Sequence, residues 1–594
     1  MKIIRIVLGI ALAVVVLSSC GTTKTTKTTK TKTSTISKEK VLAKKLGKTY
    51  KINATTDGIV AKKGKMSKEE IQKWPHMDIY KDSVPGMSLA KAYEFLQGKE
   101  GETVIVAVID SGIDIEHEDL KNVVWTNKGE IPNNGIDDDK NGYIDDVYGW
   151  NFLGGEKGTA APEQLEITRI VKKLHGRYGT EAAIKKIIES EGKNNEERVA
   201  EKIKQEQEYY LKLKKEVDLE REKASGQKDF YGGLVNSIKS TDKKIQNFSG
   251  KKIYMLDDFK DFKPQSDDEK QGMGMIMKLM ASGATLEDGI KELQRAVDYF
   301  ASQADFMYNI DFNGRVTGDD TENIRDTKYG NKYVIGSKDG EIHGTHVSGI
   351  ICAERNNGVG MNGVAHNVAL MSVRAVPDGD EYDKDVALAI RYAVDNGAKV
   401  INMSFGKSYS PHRAWVFDAI KYAERKDVLL VHAAGNDHAD IDVENNFPTD
   451  SKDKITEFAD NVITVGAMTR HFDENISATF SNYGKRNVDI FAPGLEIYST
   501  FPKDNYKSIQ GTSMASPEVA GVAALIRSYY PSLTASQVKH ILMDSGIEMN
   551  KEVKLPAGRG AKVKMVRFNS LSVKGKILNA YNALVMAEEM VNKK

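Results

Sequence analysis

Three short stretches carry side chains whose type and setting suit acyl transfer. In Gly511-Thr512-Ser513-Met514-Ala515-Ser516-Pro517 a small-residue turn delivers a serine just where a helix pattern begins. The residues that follow, Val519, Ala520, Val522, Ala523, Ala524, Leu525 and Ile526, are apolar almost all round, which predicts a buried helix. A serine there faces the positive end of the helix dipole, where developing negative charge is stabilised. Taken alone, it also reads as an ordinary helix cap. A nucleophile needs a base, and His343-Gly344-Thr345-His346-Val347-Ser348-Gly349 offers one at a second polar-into-apolar helix start. Two histidines three apart also suit a metal, but no third His or Cys ligand lies near them. A base needs an orienting acid, and Asp110 closes the apolar run Val104-Ile105-Val106-Ala107-Val108-Ile109. That aspartate reads either as a functional acid at a strand end or as a cap for the next turn.

These stretches need a scaffold, and the hydrophobic pattern supplies one. The run at 104–110 is continuous rather than alternating, as in a parallel sheet covered on both faces. Further strands are expected at 368–376, 399–404, 428–432 and 462–467, with a helix at about 385–395 between the first two. The fold class is therefore α/β with a mostly parallel sheet. Two of these strands run into small or polar residues, Asn402-Met403-Ser404-Phe405-Gly406 and Ala433-Ala434-Gly435-Asn436. A short helix opens at Ser67-Lys68-Glu69-Glu70 and another is expected at about 89–96. A helix at about 535–543, with Thr534 and Gln537 as a capping box, a basic segment at 554–567 and a closing helix from about 576 read as packing elements.

Between about 157 and 308 the composition shifts to Lys and Glu with helical spacing, as in Ile167, Ile170, Val171 and Leu174. A later face runs Leu286, Ile290, Leu293, Val297 and Phe300 behind a capping pair, Thr285 and Asp288. This is an inserted helical subdomain with no catalytic set of its own: a solvated appendage, a lid or a docking surface.

The chain of 594 residues balances 85 Lys+Arg against 84 Asp+Glu, so its charge gives no reason to expect a nucleic-acid partner. With only two cysteines, Cys20 and Cys352, no disulfide framework is expected. Lys2 and Arg5 precede an apolar stretch ending in Leu17-Ser18-Ser19-Cys20, an export signal too short to span a membrane comfortably. Residues 21–48 open as a Thr/Lys repeat with nothing to bury and read as a disordered tether. Residues 49–83 form a polar N-terminal arm.

Six segments in order resemble the subtilisin-like serine peptidases, or subtilases. They are Val108-Ile109-Asp110-Ser111-Gly112-Ile113-Asp114, the stretch 343–349, Ala434-Gly435-Asn436, Phe480-Ser481-Asn482-Tyr483-Gly484, Phe491-Ala492-Pro493-Gly494 and the stretch 511–517. The resemblance covers 84–156 and 309–546 as a peptidase domain of three-layer α/β fold, with 157–308 inserted and 547–594 as a C-terminal packing segment. It implies a serine endopeptidase with Ser513 as nucleophile, His343 as base and Asp110 as its orienting acid. His346 is then structural. Asn436 matches the oxyanion-hole asparagine. Ser404, Phe405 and Gly406 match the edge that binds substrate as an added strand, and Ala433, Ala434 and Gly435 form one wall of the pocket for the residue before the cut. Small residues there imply no charge selection. The partners implied are protein or peptide substrates; nothing indicates an oligomeric state.

Calcium is the ion the resemblance implies. Asp119 matches a family ligand, with the Asn357 side chain and the Val359 and Met361 carbonyls as partners. Independently, Asp137, Asp139, Asn141, Tyr143 and Asp145 sit in a loop spaced like an EF-hand, with Gly142 at the sixth position; a hydrophilic turn loop is the other reading. The end of the export signal resembles a lipobox, which makes Cys20 a lipidated N-terminus and tethers the protein to a membrane outside the cytoplasm; an ordinary signal peptide is the alternative. Only about 60 residues separate Cys20 from the expected peptidase domain, too few for a usual prodomain. Either the domain folds without one, or the insert or residues 49–83 take over inhibition. The competing functional reading is a catalytically dead subtilase fold serving as a surface scaffold.

Overall fold

A computed structural model describes residues 52, 54–156, 158–160, 162–191, 196–338, 342–558 and 560–593. Cys20, the export signal and the tether lie outside the described residues. Nine strands make the central sheet: β1 (Val104–Asp110), β2 (Gly149–Asn151), β3 (Val368–Arg374), β4 (Val400–Met403), β5 (Leu429–Ala433), β6 (Val462–Met468), β7 (Ile490–Pro493), β8 (Ile547–Glu548) and β9 (Lys576–Ile577). Their order is β8-β9-β7-β6-β5-β4-β1-β3-β2, and every neighbouring pair is parallel except β8–β9.

Side chains of β1 show why its sequence is apolar throughout. Val104, Val106 and Val108 enter one core while Ala107 and Ile109 enter the other. Of the helices flanking the sheet, the first core takes α2 (Leu89–Leu96), α8 (Ile342–Cys352), α11 (Thr512–Tyr529), α12 (Ala535–Ser545) and α13 (Ala580–Asn592). The second takes α9 (Asp383–Asp395) and α10 (Arg413–Arg425). The result is three layers, helices on both faces of a sheet.

The N-terminal arm carries α1 (Lys68–Lys73), which opens with a capping box between Ser67 and Glu70. It is anchored by Trp74, fully buried with its indole N–H on the Leu495 carbonyl at 3.1 Å. The closing helix starts at Ala580 rather than near 576, because Lys576–Ile577 pairs with β7 and β8 as a strand.

Within 157–308 the chain is helical: α3 (Glu166–Tyr178), α4 (Glu181–Glu191), the 54-residue α5 (Glu196–Ser249), α6 (Asp267–Ala281) and α7 (Leu286–Ala301). At 1.5 Å per residue α5 is about 80 Å long. Its near end packs Tyr210, Leu213 and Val217 against Ile167 and Val171 of α3, and Tyr409 of the sheet domain joins that cluster. Its far end packs Ile238 and Ile245 against Ile276 of α6 and Leu286 and Ile290 of α7. Thr285 caps α7 by accepting the Asp288 N–H at 3.0 Å.

The root of this helical region is ionic and buried. Lys407 donates to Glu166 of α3 at 2.8 Å and lies 2.9 Å from Asp383 of α9. Arg169 pairs with Glu166 at 2.6 Å and donates to the Asp380 carbonyl at 2.8 Å. Burial alone would raise the Glu166 carboxyl, but Arg169 and Lys407 hold it down at about 2. No described helix is long and apolar enough to cross a membrane.

Candidate active site

Asp110 ends β1 and His343 is the second residue of α8. The His343 imidazole Nδ1 lies 2.8 and 3.0 Å from the two Asp110 carboxylate oxygens. Asp110 accepts, so Nδ1 carries the proton and Nε2 is the basic nitrogen. The close approach depends on Gly344: a Cβ there would lie 2.3 Å from the Gly112 carbonyl and 3.1 Å from the Asp110 Cβ. The Asp110 side chain is almost fully buried while His343 stays about a third exposed, 2% against 36%, so the ring faces the cleft. Burial penalises the imidazolium, but the Asp110 charge and hydrogen bond outweigh it and raise the His343 pKa above the usual 6.5. His346 behaves differently. Its Nε2 meets the Ile497 and Lys507 carbonyls at 3.0 and 3.1 Å, and burial pushes its pKa down to about 3. It stays neutral and braces a hairpin.

Ser513 is the second residue of α11, and its neighbours follow from a proline. Pro517 has no N–H to give the Ser513 carbonyl four residues back. The Ser404 hydroxyl donates to that carbonyl instead, at 2.9 Å, and lies 2.8 Å from the Ser516 hydroxyl. The Ser513 hydroxyl in turn donates to the Ser404 carbonyl at 3.1 Å rather than to His343. Such a nucleophile–base hydrogen bond commonly forms only once substrate is bound. Asp110, His343 and Ser404 border one cavity, and Ser513 is hydrogen-bonded to that same Ser404.

Asn436 follows β5 and is exposed beside Thr512. Its Oδ1 accepts from the Thr512 N–H at 2.9 Å and the Thr512 hydroxyl at 3.1 Å, which leaves the Nδ2 donor uncommitted next to the start of α11. The Ser513 N–H, in the first turn of α11, has no partner within the helix. Asn482 fixes the turn carrying Asn436: its Nδ2 donates to the Ala434 carbonyl, and its Oδ1 accepts from the Asp437 and Ala439 N–H groups, each at 2.9 Å. Gly435 has φ +98°, and a Cβ there would meet Asn482 Nδ2 at 2.3 Å, so this position demands glycine.

A model of the subtilase family matches residues 101–564. The chain belongs to the subtilase family. A thermophilic serine proteinase of Bacillus sp. (strain AK1) is 43% identical over 187 residues, 31% of this chain and 42% of that protein. Subtilisin DY of Bacillus licheniformis is 38% identical over 213 residues, 36% of this chain and 72% of that protein. Subtilisin-like protease 1 of Plasmodium vivax is 33% identical over 288 residues, 45% of this chain and 43% of that protein. The chain thus spans less than half the length of the first and third of these relatives.

In this subtilase the segment Ser404-Phe405-Gly406 lies just before Lys407, which bridges to Phe447. Sequence reasoning missed the residue behind it. His432, buried on β5, donates from Nε2 to the Phe405 carbonyl at 2.9 Å, and burial pushes its pKa down to about 4. A histidine inside an otherwise apolar strand was the available signal. Asn446 was missed too: its Oδ1 lies 3.1 Å from where a Gly406 Cβ would stand and 3.4 Å from that of Gly435, between the two walls.

The two calcium loops differ in how well they suit a cation. Asp119 is fully buried, and its oxygens already accept from Asn357 Nδ2 at 2.6 Å and the Met361 N–H at 3.0 Å. Asn357 Oδ1 accepts the Val359 N–H at 3.0 Å, so a cation here requires Asn357 to turn its oxygen inward. In the acidic loop, oxygens of Asp137, Asp139 and Glu130 lie within 4.8 Å of one another, which suits a divalent ion. Asp145 is not in that group. Its carboxylate caps the turn at Asn134 and Gly135 and pairs with Lys332 at 2.8 Å. Asn141 lies beside the group, its Nδ2 on Asp146 Oδ2 at 3.0 Å, while the Tyr143 ring packs on Trp150 and Tyr392. Glu130, not Asp145, is the third carboxylate of the group.

Proposed function

We infer that this subtilase is a serine endopeptidase that hydrolyses peptide bonds through an acyl-enzyme. The observation that carries this reading is the Asp110–His343 pair, 2.8 Å apart, bordering a cavity together with Ser404, the residue whose carbonyl accepts from the Ser513 hydroxyl. A substrate strand lies along Ser404, Phe405 and Gly406. Ser513 Oγ attacks the scissile carbonyl as His343 Nε2 takes its proton. The tetrahedral oxyanion accepts from Asn436 Nδ2 and the Ser513 N–H. The C–N bond then breaks, His343 returns the proton to the leaving amine, and the acyl group stays on Ser513. Water, deprotonated by His343, hydrolyses that ester, and Ser513 recovers its proton. Asp110 holds the tautomer throughout and stabilises the imidazolium.

The same proposal places the enzyme outside the cytoplasm, tethered through lipid on Cys20. It also places structural calcium at Glu130, Asp137 and Asp139, with Asp119 as a second position, and gives calcium no part in the chemistry. A fluorophosphonate probe tests the active-site reading: it should label the purified protein on Ser513, and His343→Ala should suppress labelling. Labelling elsewhere, or none in the wild type, would overturn it.

A further inference from the structure

The helical insert reaches the cleft. From the C-terminal end of α7 a π-helical turn, Ser302–Met307, comes down onto the loop after β3, where Ser302 Oγ donates to Asp378 Oδ2 at 2.7 Å. The return is pinned where the Leu165 N–H meets the Met307 carbonyl at 3.1 Å and Gln164 Nε2 meets the Asn309 carbonyl at 2.6 Å. Between insert and sheet domain lies a cavity of about 680 Å³ that opens on Asp110, His343 and Ser404.

Its walls are of two kinds. Ala301 and Phe306 from the insert and Val376 and Pro377 from the sheet domain make it apolar. Asp298 and Asp378 add two exposed carboxylates. Asp298 accepts one hydrogen bond from Gln294 and Asp378 one from Ser302, which leaves each an oxygen for a ligand. Among the described residues neither is paired with a lysine or arginine, in contrast to neighbouring Asp305, which Lys228 neutralises at 2.8 Å. Ser404 belongs both to this cavity and to the edge that holds the residues leading up to the cut, so a substrate side chain on that edge enters here. Methylenes against apolar walls and a cationic head between two carboxylates describe lysine or arginine.

We propose that the insert completes a substrate subsite, and that this subsite takes a lysine or arginine on the N-terminal side of the scissile bond. Basic peptides or proteins are then the preferred substrate class. This rests on the peptidase reading above and deepens it. The test is a set of internally quenched peptides with a common apolar sequence and Arg, Leu or Glu at each of the positions preceding the cut. At one position the wild type should favour Arg over Leu by about tenfold in kcat/KM, with Glu poorest. In the isosteric double variant Asp298→Asn/Asp378→Asn the Arg-to-Leu ratio should fall towards one. The double variant Asp298→Lys/Asp378→Asn, which replaces two negative charges by one positive charge, should turn the order over and favour Glu, which misfolding cannot produce. Equal cleavage of the Arg and Leu peptides by wild type, or a ratio that survives the double variant, would overturn the subsite while leaving the peptidase reading intact. A chain that neither cleaves any peptide nor takes a fluorophosphonate would overturn both.

Discussion

At Asn436 the orientation of one amide decides what the side chain can do. Thr512 presents two donors to its Oδ1, so Nδ2 is left uncommitted as a donor. In the proposed mechanism, replacing Asn436 by Ala removes a donor that acts on the oxyanion and little on bound substrate. We expect a fall of about 10²–10³ in kcat with KM nearly constant; a change confined to KM would contradict the role. His343 gives a second prediction. In the proposed mechanism the neutral imidazole is the active form, and Asp110 raises its pKa above 6.5, so activity should rise with pH through a midpoint above that value. A kcat/KM profile with its acid limb centred below 6.5 would contradict the pairing. Ser513, His343 and Asp110 were legible because each ends or begins a strongly patterned element. Asn482, His432 and Asn446 were not, because their meaning comes from partners far along the chain, as with the bond from His432 to the Phe405 carbonyl.

Elements explain the rest of the site's rigidity. Pro517 costs α11 a hydrogen bond, and the Ser404 hydroxyl replaces it, tying the helix that carries Ser513 to the end of β4. The buried Lys407, just past Gly406, ties the segment Ser404-Phe405-Gly406 to α3 of the insert and to α9. Lys407→Met leaves Asp383 and Glu166 short of a cation in a dry setting, and should cost about 3 kcal/mol or more in urea unfolding. A loss under about 1 kcal/mol would mean that the pair is solvated. The long central strands were readable from continuous apolar runs. The two-residue strands Ile547–Glu548 and Lys576–Ile577 were not, since so short a run has no periodicity and pairs only because the sheet offers an edge. The helices of 157–308 were readable from spacing, but the place where α7 lands was not, because Ser302 and Asp378 meet only in the folded chain.

At the scale of the molecule, three layers carry the cleft while a helical insert, rooted in buried ion pairs, borders it. Calcium belongs to this scale. Glu130, Asp137 and Asp139 bring carboxylate oxygens within 4.8 Å of one another, and a cation bound there, as proposed, would relieve their mutual repulsion. Calcium should therefore raise the Tm and a chelator lower it, without changing peptide preference. A Tm indifferent to both would remove calcium from the account. The central claim is that Ser513 is the nucleophile of a peptidase, and casein hydrolysis tests it most directly. The purified wild-type protein should cleave casein and Ser513→Ala should lose that activity at unchanged Tm; equal cleavage by the two would contradict the mechanism.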